Sequence, residues 1–175
     1  MPPKDPPGGE TPGGEEVTLC FPPRKSYVAP ATDFVTCFCG EHTADKAALS
    51  RVQLAAHELA ENVVKYAAGQ LCTVRVRSDR PTRNGGAVSL SITTENAVLP
   101  EALDRVDAYL CALEAASNPD HFYDQQIAET AKRVNGSGLG LARIRSEAGM
   151  EIQHRAGAGR LCITAVLWLP LAGDA

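Results

Sequence analysis

A long amphipathic helix is the feature that most constrains how this chain can fold. Between residues 45 and 68, apolar side chains recur at steps of three and four, and Gly69 follows them. Such a stripe has to face an apolar layer, because a lone helix cannot bury it. A glycine just after the last periodic residue is a common helix end. The stripe consists of Leu49, Val52, Ala56, Leu59, Val63 and Tyr66.

Alternating polar and apolar segments on both sides of this helix supply the second layer. Strands are predicted at residues 17–21, 71–77, 87–94, 150–155 and 161–169. Further helices are predicted at residues 31–41, 99–116 and 121–133, and in a short segment that Gly149 ends. Strands paired in hairpins with helices between them indicate an α+β fold. We expect a two-layer sandwich with helices on one face of a mixed, mainly antiparallel sheet.

Length and composition favour one domain with a short tail at each end. The 175 residues suffice for one core but not for two domains of ordinary size. Residues 1–16 are mostly Pro, Gly and Glu, so we expect a disordered N-terminal tail. The folded domain is then expected over residues 17–170, with a C-terminal tail at 171–175.

Charge and hydropathy exclude several classes of partner. The net charge is −4, of which one lysine and four acidic residues in 1–16 contribute −3, leaving −1 for the remainder. A near-neutral body lacks the basic surface typical of nucleic-acid binding. No apolar run approaches the ~20 residues that cross a bilayer, and the N-terminus does not resemble a signal peptide. We therefore expect a cytoplasmic protein that contacts neither nucleic acid nor membrane.

The cysteines and histidines show no recognisable metal-binding spacing. The six cysteines contain no C-x-x-C pair and mostly lie among apolar residues, which favours free thiols over metal ligands or disulfides. His57 and Glu58 begin like the zinc-protease motif H-E-x-x-H, but Glu61 stands where the second histidine is required. The cysteines are Cys20, Cys37, Cys39, Cys72, Cys111 and Cys162.

A polar stripe runs along the same long helix, about 100° from the apolar one. Glu58, Asn62 and Lys65 stand at positions i, i+4 and i+7 and therefore share one face. The Asn oxygen is a hard ligand suited to Mg²⁺. The Glu carboxylate can accept a proton from an attacking hydroxyl, and the Lys can neutralise phosphate. The alternative is an ordinary solvated helix face, although Asn is a poor helix former.

A glycine-rich turn, GSGLGL at residues 136–141, precedes the last predicted helix. Gly136, Gly138 and Gly140 let a phosphate approach the backbone, and the free N–H groups of the following helix face that anion. Leu139 and Leu141 are expected to anchor the turn in the core. The segment before it is helical rather than a strand, and no Gly-Lys-Ser/Thr follows, so neither a dinucleotide fold nor a P-loop is indicated. A plain glycine-rich loop remains the alternative.

Together these two segments resemble the motifs of the histidine-kinase-like (GHKL) ATPase superfamily, whose domain has the Bergerat fold. Residues 58–66 resemble its N-box and residues 136–144 its G2 box, and the likeness extends over about residues 17–170. The resemblance implies binding of ATP with Mg²⁺. By this resemblance, Glu58 corresponds to the catalytic base and Asn62 to the Mg²⁺ ligand. The nucleotide contacts come from Lys65, Tyr66, Gly136, Ser137, Gly138, Leu139, Gly140 and Leu141.

The chain departs from this superfamily at the G1 box, D-x-G-x-G. Residues 94–98 read Thr-Glu-Asn-Ala-Val, without either glycine. Strand alternation puts Asn96 on the face shared with Thr94 and turns Glu95 away. Asn96 is therefore the expected contact of the adenine amino group, unless it is only a polar residue at a strand end. Lys132 and Arg133 close the segment equivalent to the ATP lid, as phosphate contacts or as solvated charges.

A single small domain without sensor or dimerisation helices looks most like the anti-sigma-factor type of this superfamily. The resemblance implies a serine/threonine kinase of a bacterial partner-switching system, which phosphorylates a small antagonist protein. A sigma factor or another regulated protein would be its further partner, and a homodimer is left open. The alternative is a non-catalytic switch that binds nucleotide or sequesters a partner, favoured by the missing G1 glycines. An ATPase that drives a larger machine is the least favoured.

Overall fold

The computed structural model describes residues 14–79, 87–131 and 138–169. Five strands form one sheet in the order β1-β2-β3-β5-β4. The strands are β1 (Gly14–Phe21), β2 (Cys72–Asp79), β3 (Val88–Ala97), β4 (Glu151–Gly157) and β5 (Arg160–Leu169). The helices are α1 (Val28–Gly40), α2 (Lys46–Lys65), α3 (Pro100–Ala115), α4 (Pro119–Thr130) and α5 (Leu139–Ser146). A short 3₁₀ helix, Lys25–Tyr27, precedes α1.

The predicted α+β sandwich is confirmed, with one difference in the sheet. Every pairing between the described strands is antiparallel, whereas a mixed sheet was expected. In β2 and β5 every second side chain is buried, as expected of strands covered on one face. Helix α2 turns its apolar stripe onto this face and buries Val52, Leu59 and Val63. The core therefore lies between the sheet and the helices.

Two helix starts and one strand start differ from the sequence prediction by two or more residues. Strand β1 begins at Gly14, inside the segment expected to be disordered, and its backbone pairs there with Asp79 of β2. Glu16 adds ion pairs with Arg75 and Arg77. Helix α1 starts three residues earlier than predicted and takes Pro30 into its first turn, where proline is tolerated. Helix α4 starts two residues early. The rest of the predicted tails, residues 1–13 and 171–175, lies outside the described residues.

The early start of α4 has a clear local cause. Its N-cap Asn118 accepts a hydrogen bond from the backbone N–H of His121 at 3.0 Å, and a proline follows at the first helical position. Both features favour a helix start rather than the break predicted there. Helix α4 packs on α5, and α3 packs on the edge strand β4. None of the helices in the described segments is both long and apolar enough to span a bilayer.

Candidate functional site

One cavity of about 680 Å³ opens between the C-terminal half of α2, the sheet and helices α3 and α4. This volume lies within the range of about 300–1,000 Å³ that is typical of small-molecule sites. Five residues predicted from the sequence to bind a cofactor line it, and they come from three distant segments. These are Asn62, Lys65, Tyr66, Asn96 and Gly138.

Helix α2 forms the polar wall of the cavity. The helix is fixed at its start by Asp45, whose carboxylate accepts a hydrogen bond from the Ala47 N–H at 2.8 Å. At its other end Asn62 is half-buried, whereas Lys65 and Tyr66 are exposed. The Lys65 ammonium lies 5.3 Å from the centroid of the Tyr66 ring, within the range of a cation–π contact. An amide and a cation thus stand one helical turn apart on one side of the cavity.

The floor of the cavity is apolar except for two buried polar residues of β3. Val98, Leu161 and Ile163 supply the apolar surface, while Thr94 and Asn96 lie among them. Asn96 is only 5% exposed, and its side-chain nitrogen donates a hydrogen bond to the Ala97 carbonyl at 3.1 Å. The side-chain oxygen of Asn96, which can accept a hydrogen bond, takes no part in this contact. As strand alternation predicted, Asn96 shares the face of β3 that carries Thr94.

Glu95 points to the other face of the sheet, as strand alternation predicted. Its carboxylate accepts a hydrogen bond from the Arg160 guanidinium at 2.6 Å. Asn96 is opposite Leu161 in the β3–β5 register, and Leu161 is a buried core residue. Of the two adjacent polar residues, only Asn96 lines the cavity.

Helix α3 contributes two polar cavity residues that the sequence did not indicate, Arg105 and Tyr109. The Tyr109 hydroxyl donates a hydrogen bond to the Gly138 carbonyl at 3.0 Å, and its ring packs on Phe122 with centroids 6.0 Å apart. Burial, with a smaller effect of Tyr66, raises the pKa of Tyr109 to about 12. The hydroxyl therefore stays protonated and ties α3 to the glycine turn. Ala102, Arg105 and Tyr109 follow one another at steps of three and four residues. This spacing could have indicated that they share one face of α3.

The glycine turn reaches the cavity at Gly138. Its φ is +134°, a conformation that favours glycine, and a Cβ placed there would meet open space. Helix α5 starts at the next residue, Leu139, and Leu141 is buried in the core as predicted. Leu139, Gly140 and Leu141 are not among the described residues that line the cavity. Lys132, Gly136 and Ser137 lie outside the described residues.

Glu58 lies against α5 rather than in the cavity. Its carboxylate accepts a hydrogen bond from the Arg143 guanidinium at 2.7 Å, and its side chain is 13% exposed. A Cβ on Gly140 would lie 2.3 Å from the second carboxylate oxygen of Glu58, so only glycine permits this packing without a shift. The two sequence motifs are therefore in contact, although Glu58 is not among the described residues that line the cavity.

Arg143 also binds a second carboxylate. Its other guanidinium nitrogens donate to Glu147 at 3.2 and 3.0 Å. The hydrogen bonds from Arg143, with a further one from Tyr123, hold the pKa of Glu147 below its usual value. Arg143 thus bridges Glu58 of α2 and Glu147 at the end of α5.

The fold is similar to that of a chain in the crystal structure of the SiaB–SiaC complex from Pseudomonas aeruginosa. The TM-score is 0.55 at 16% sequence identity, and the match covers 87% of this chain and 89% of that chain. At this identity the likeness concerns the fold, over nearly the full length of both chains. No protein-family model and no curated protein sequence matches the chain.

Proposed function

We propose that the protein binds Mg²⁺-ATP in this cavity and is a serine/threonine kinase of a bacterial partner-switching system. Its substrate would be a Ser or Thr of a small antagonist protein. The observation that carries the proposal is the single cavity shared by Asn62 and Lys65 of α2, Asn96 of β3 and Gly138 of the glycine turn. These are the groups that the resemblance to histidine-kinase-like ATPases assigned to one nucleotide.

The residues of the cavity suit the two ends of a nucleotide. Apolar floor residues and the side-chain oxygen of buried Asn96 suit the flat face and amino group of a purine. Lys65 and Arg105 supply positive charge, and open space beside Gly138 lets a phosphate approach the backbone. Asn62 offers one oxygen to Mg²⁺, which usually takes its other ligands from phosphates and water. Bound Mg²⁺ would neutralise charge on the phosphate oxygens.

Catalysis by Glu58 requires a change at Arg143. In the structure the Glu58 carboxylate pairs with Arg143, and Glu58 is not among the described residues that line the cavity. Because Arg143 keeps Glu147 as a second partner, Glu58 can leave this pair without stranding the guanidinium. We propose that docking of the protein substrate releases Glu58, which then accepts the proton of the substrate hydroxyl.

The second candidate is a non-catalytic switch that binds nucleotide and sequesters a protein partner. The pairing of Glu58 with Arg143 and the absent G1 glycines favour it. The structural neighbour belongs to a complex of two proteins, and this supports assembly with a protein partner under either candidate.

A calorimetric titration with ATP, with and without Mg²⁺, tests nucleotide binding. We expect wild-type protein to bind ATP more tightly with Mg²⁺, and Asn62→Ala to lose most of this dependence. The matched control is Gln53→Ala, which removes an exposed amide from the same helix outside the cavity. Equal Mg²⁺ dependence in all three proteins would overturn the role of Asn62. If the wild-type protein does not bind ATP, both candidate functions, the kinase and the nucleotide-binding switch, are refuted.

Transfer from γ-labelled ATP to a co-purified protein partner separates the two candidates. A kinase should label a Ser or Thr of the partner, and Glu58→Gln should bind ATP normally but transfer nothing. Glu61→Gln, an exposed carboxylate on the same helix, is the matched control and should retain transfer. Wild-type protein that binds both ATP and the partner without labelling it would establish the switch instead.

A further inference from the structure

Helix α3 has a second polar face, directed to the edge strand β4. Asp107, Cys111 and Glu114 stand at positions i, i+4 and i+7 of α3, so their side chains lie on one side of the helix. His154 of β4 meets them there. None of these four residues is among the described residues that line the cavity, so this cluster is separate from the candidate nucleotide site.

The cluster is built around the His154 ring, whose side chain is only 7% exposed. Its Nδ1 lies 2.6 Å from a carboxylate oxygen of Glu114, and its Nε2 lies 3.0 Å from a carboxylate oxygen of Asp107. One donor atom each from Asp107, Cys111 and His154 lie within 4.8 Å of one another. In a tetrahedral zinc site the ligand atoms are about 3.3–3.8 Å apart, as follows from bond lengths of about 2.0–2.3 Å. A small adjustment of the exposed thiol closes this difference.

We propose that Asp107, Cys111 and His154 form a Zn²⁺ site that joins α3 to β4. An imidazole nitrogen, a thiolate and a carboxylate oxygen are the three donor types that zinc binds in proteins. Cys111 is exposed, so the fourth position would face solvent and take water. Thiolate ligation disfavours Mg²⁺ and Ca²⁺, which bind oxygen.

Glu114 is a positioning residue in this site. Histidines that bind metals usually donate their other ring N–H to a carboxylate, which fixes the tautomer and the ring orientation. The contact between Glu114 and Nδ1 of His154 has this arrangement and leaves Nε2 on the side of Asp107. Zn²⁺ bound to Nε2 would take the place of any proton held between Nε2 and Asp107, which lie 3.0 Å apart. That proton and the thiol proton of Cys111 would pass to solvent.

The thiol distinguishes a metal site from a purely structural ion pair. His154 between two carboxylates would by itself tie α3 to β4, and it needs no cysteine. Replacing Cys111 by serine therefore leaves such an ion pair intact while it removes one proposed zinc ligand. Because Cys111 is exposed, this change is compatible with folding. The test is to titrate the reduced full-length protein with Co²⁺, whose bonds to thiolate give an intense near-ultraviolet band, and then to add Zn²⁺.

We expect one equivalent of Co²⁺ to produce this band and Zn²⁺ to abolish it by displacement. Cys111→Ser should lose the band, whereas the matched control Cys37→Ser, an exposed cysteine outside the cluster, should keep it. Glu114→Gln should weaken Zn²⁺ binding by about 10–100-fold. Asn62→Ala should bind Zn²⁺ like the wild type, which keeps this test independent of nucleotide binding. No band in the wild type, or an unchanged band in Cys111→Ser, would overturn the proposal.

Discussion

Replacing Gly140 by alanine should destabilise the protein, because the new methyl group would meet the Glu58 carboxylate. The added Cβ would lie 2.3 Å from a carboxylate oxygen of Glu58, about 1.1 Å short of the 3.4 Å at which ordinary contact begins. The carboxylate therefore has to move, and we expect this movement to break its 2.7 Å hydrogen bond with Arg143. The perturbation thus tests directly whether α2 and α5 pack as described.

The magnitude follows from two opposing effects. Leaving a mostly buried polar group without its partner costs about 1–3 kcal/mol. Alanine in place of glycine in a helix recovers up to about 1 kcal/mol. We therefore expect Gly140→Ala to lower the free energy of unfolding by up to about 2 kcal/mol. For a domain of this size each kcal/mol corresponds to about 2–4 °C in Tm.

A double-mutant cycle with Glu58→Ala makes this expectation specific. Without the carboxylate, Gly140→Ala should be neutral or stabilising by up to about 1 kcal/mol, so the sign of its effect reverses. Gly40→Ala is the matched control, because a Cβ at this last residue of α1 would meet nothing within 4 Å. It should have the same small effect with and without Glu58.

Urea unfolding followed by far-ultraviolet circular dichroism measures all the variants of this cycle. The expected coupling between Glu58 and Gly140 is about 1–3 kcal/mol. If Gly140→Ala changes the free energy of unfolding equally in both backgrounds, within about 0.5 kcal/mol, the described contact between α2 and α5 is wrong.

Three further predictions concern single positions. Gly138→Ala should cost about 1–2 kcal/mol in urea unfolding, because its φ of +134° strains any side chain; an unchanged stability would contradict that conformation. Iodoacetamide should modify exposed Cys37 in the native protein but spare buried Cys39, whose pKa burial raises to about 12, until urea is added. The stabilisation from Glu147 and Arg143, up to about 1 kcal/mol, should be complete above pH 4.5 and vanish on acidification, because pairing lowers the pKa of Glu147. Glu147→Gln should abolish this pH dependence, and its persistence would refute the assignment.

Much of the fold was predictable because its determinants are local. The three- and four-residue period of α2 and the alternation of β2 and β5 specify which faces are buried, and both predictions are confirmed. The same alternation placed Asn96 in the site and Glu95 outside it. Contact of Asn96 with adenine stays a prediction.

Other features depended on contacts between distant segments and could not be predicted in this way. The bond between Glu58 and Arg143 joins residues 85 positions apart, and nothing in the spacing of either helix specifies it. Tyr109 reaches the glycine turn only because α3 lies over the cavity. The described strands pair only antiparallel, a narrower result than the mixed, mainly antiparallel sheet that was expected, because sequence periodicity indicates strands but not the direction in which they pair.

Helix α2 divides its polar stripe between two environments. Glu58 and Asn62 are one turn apart, about 6 Å along the axis, and so share one face. Helix α5 packs on Glu58, while Asn62 remains open to the cavity. Because Gly140 allows this close packing, changes in α5 can alter the environment of Glu58 without touching Asn62. The metal binding that we propose at Asn62 and the proton transfer that we propose at Glu58 could therefore be uncoupled, and movement of Arg143 is the step that would join them.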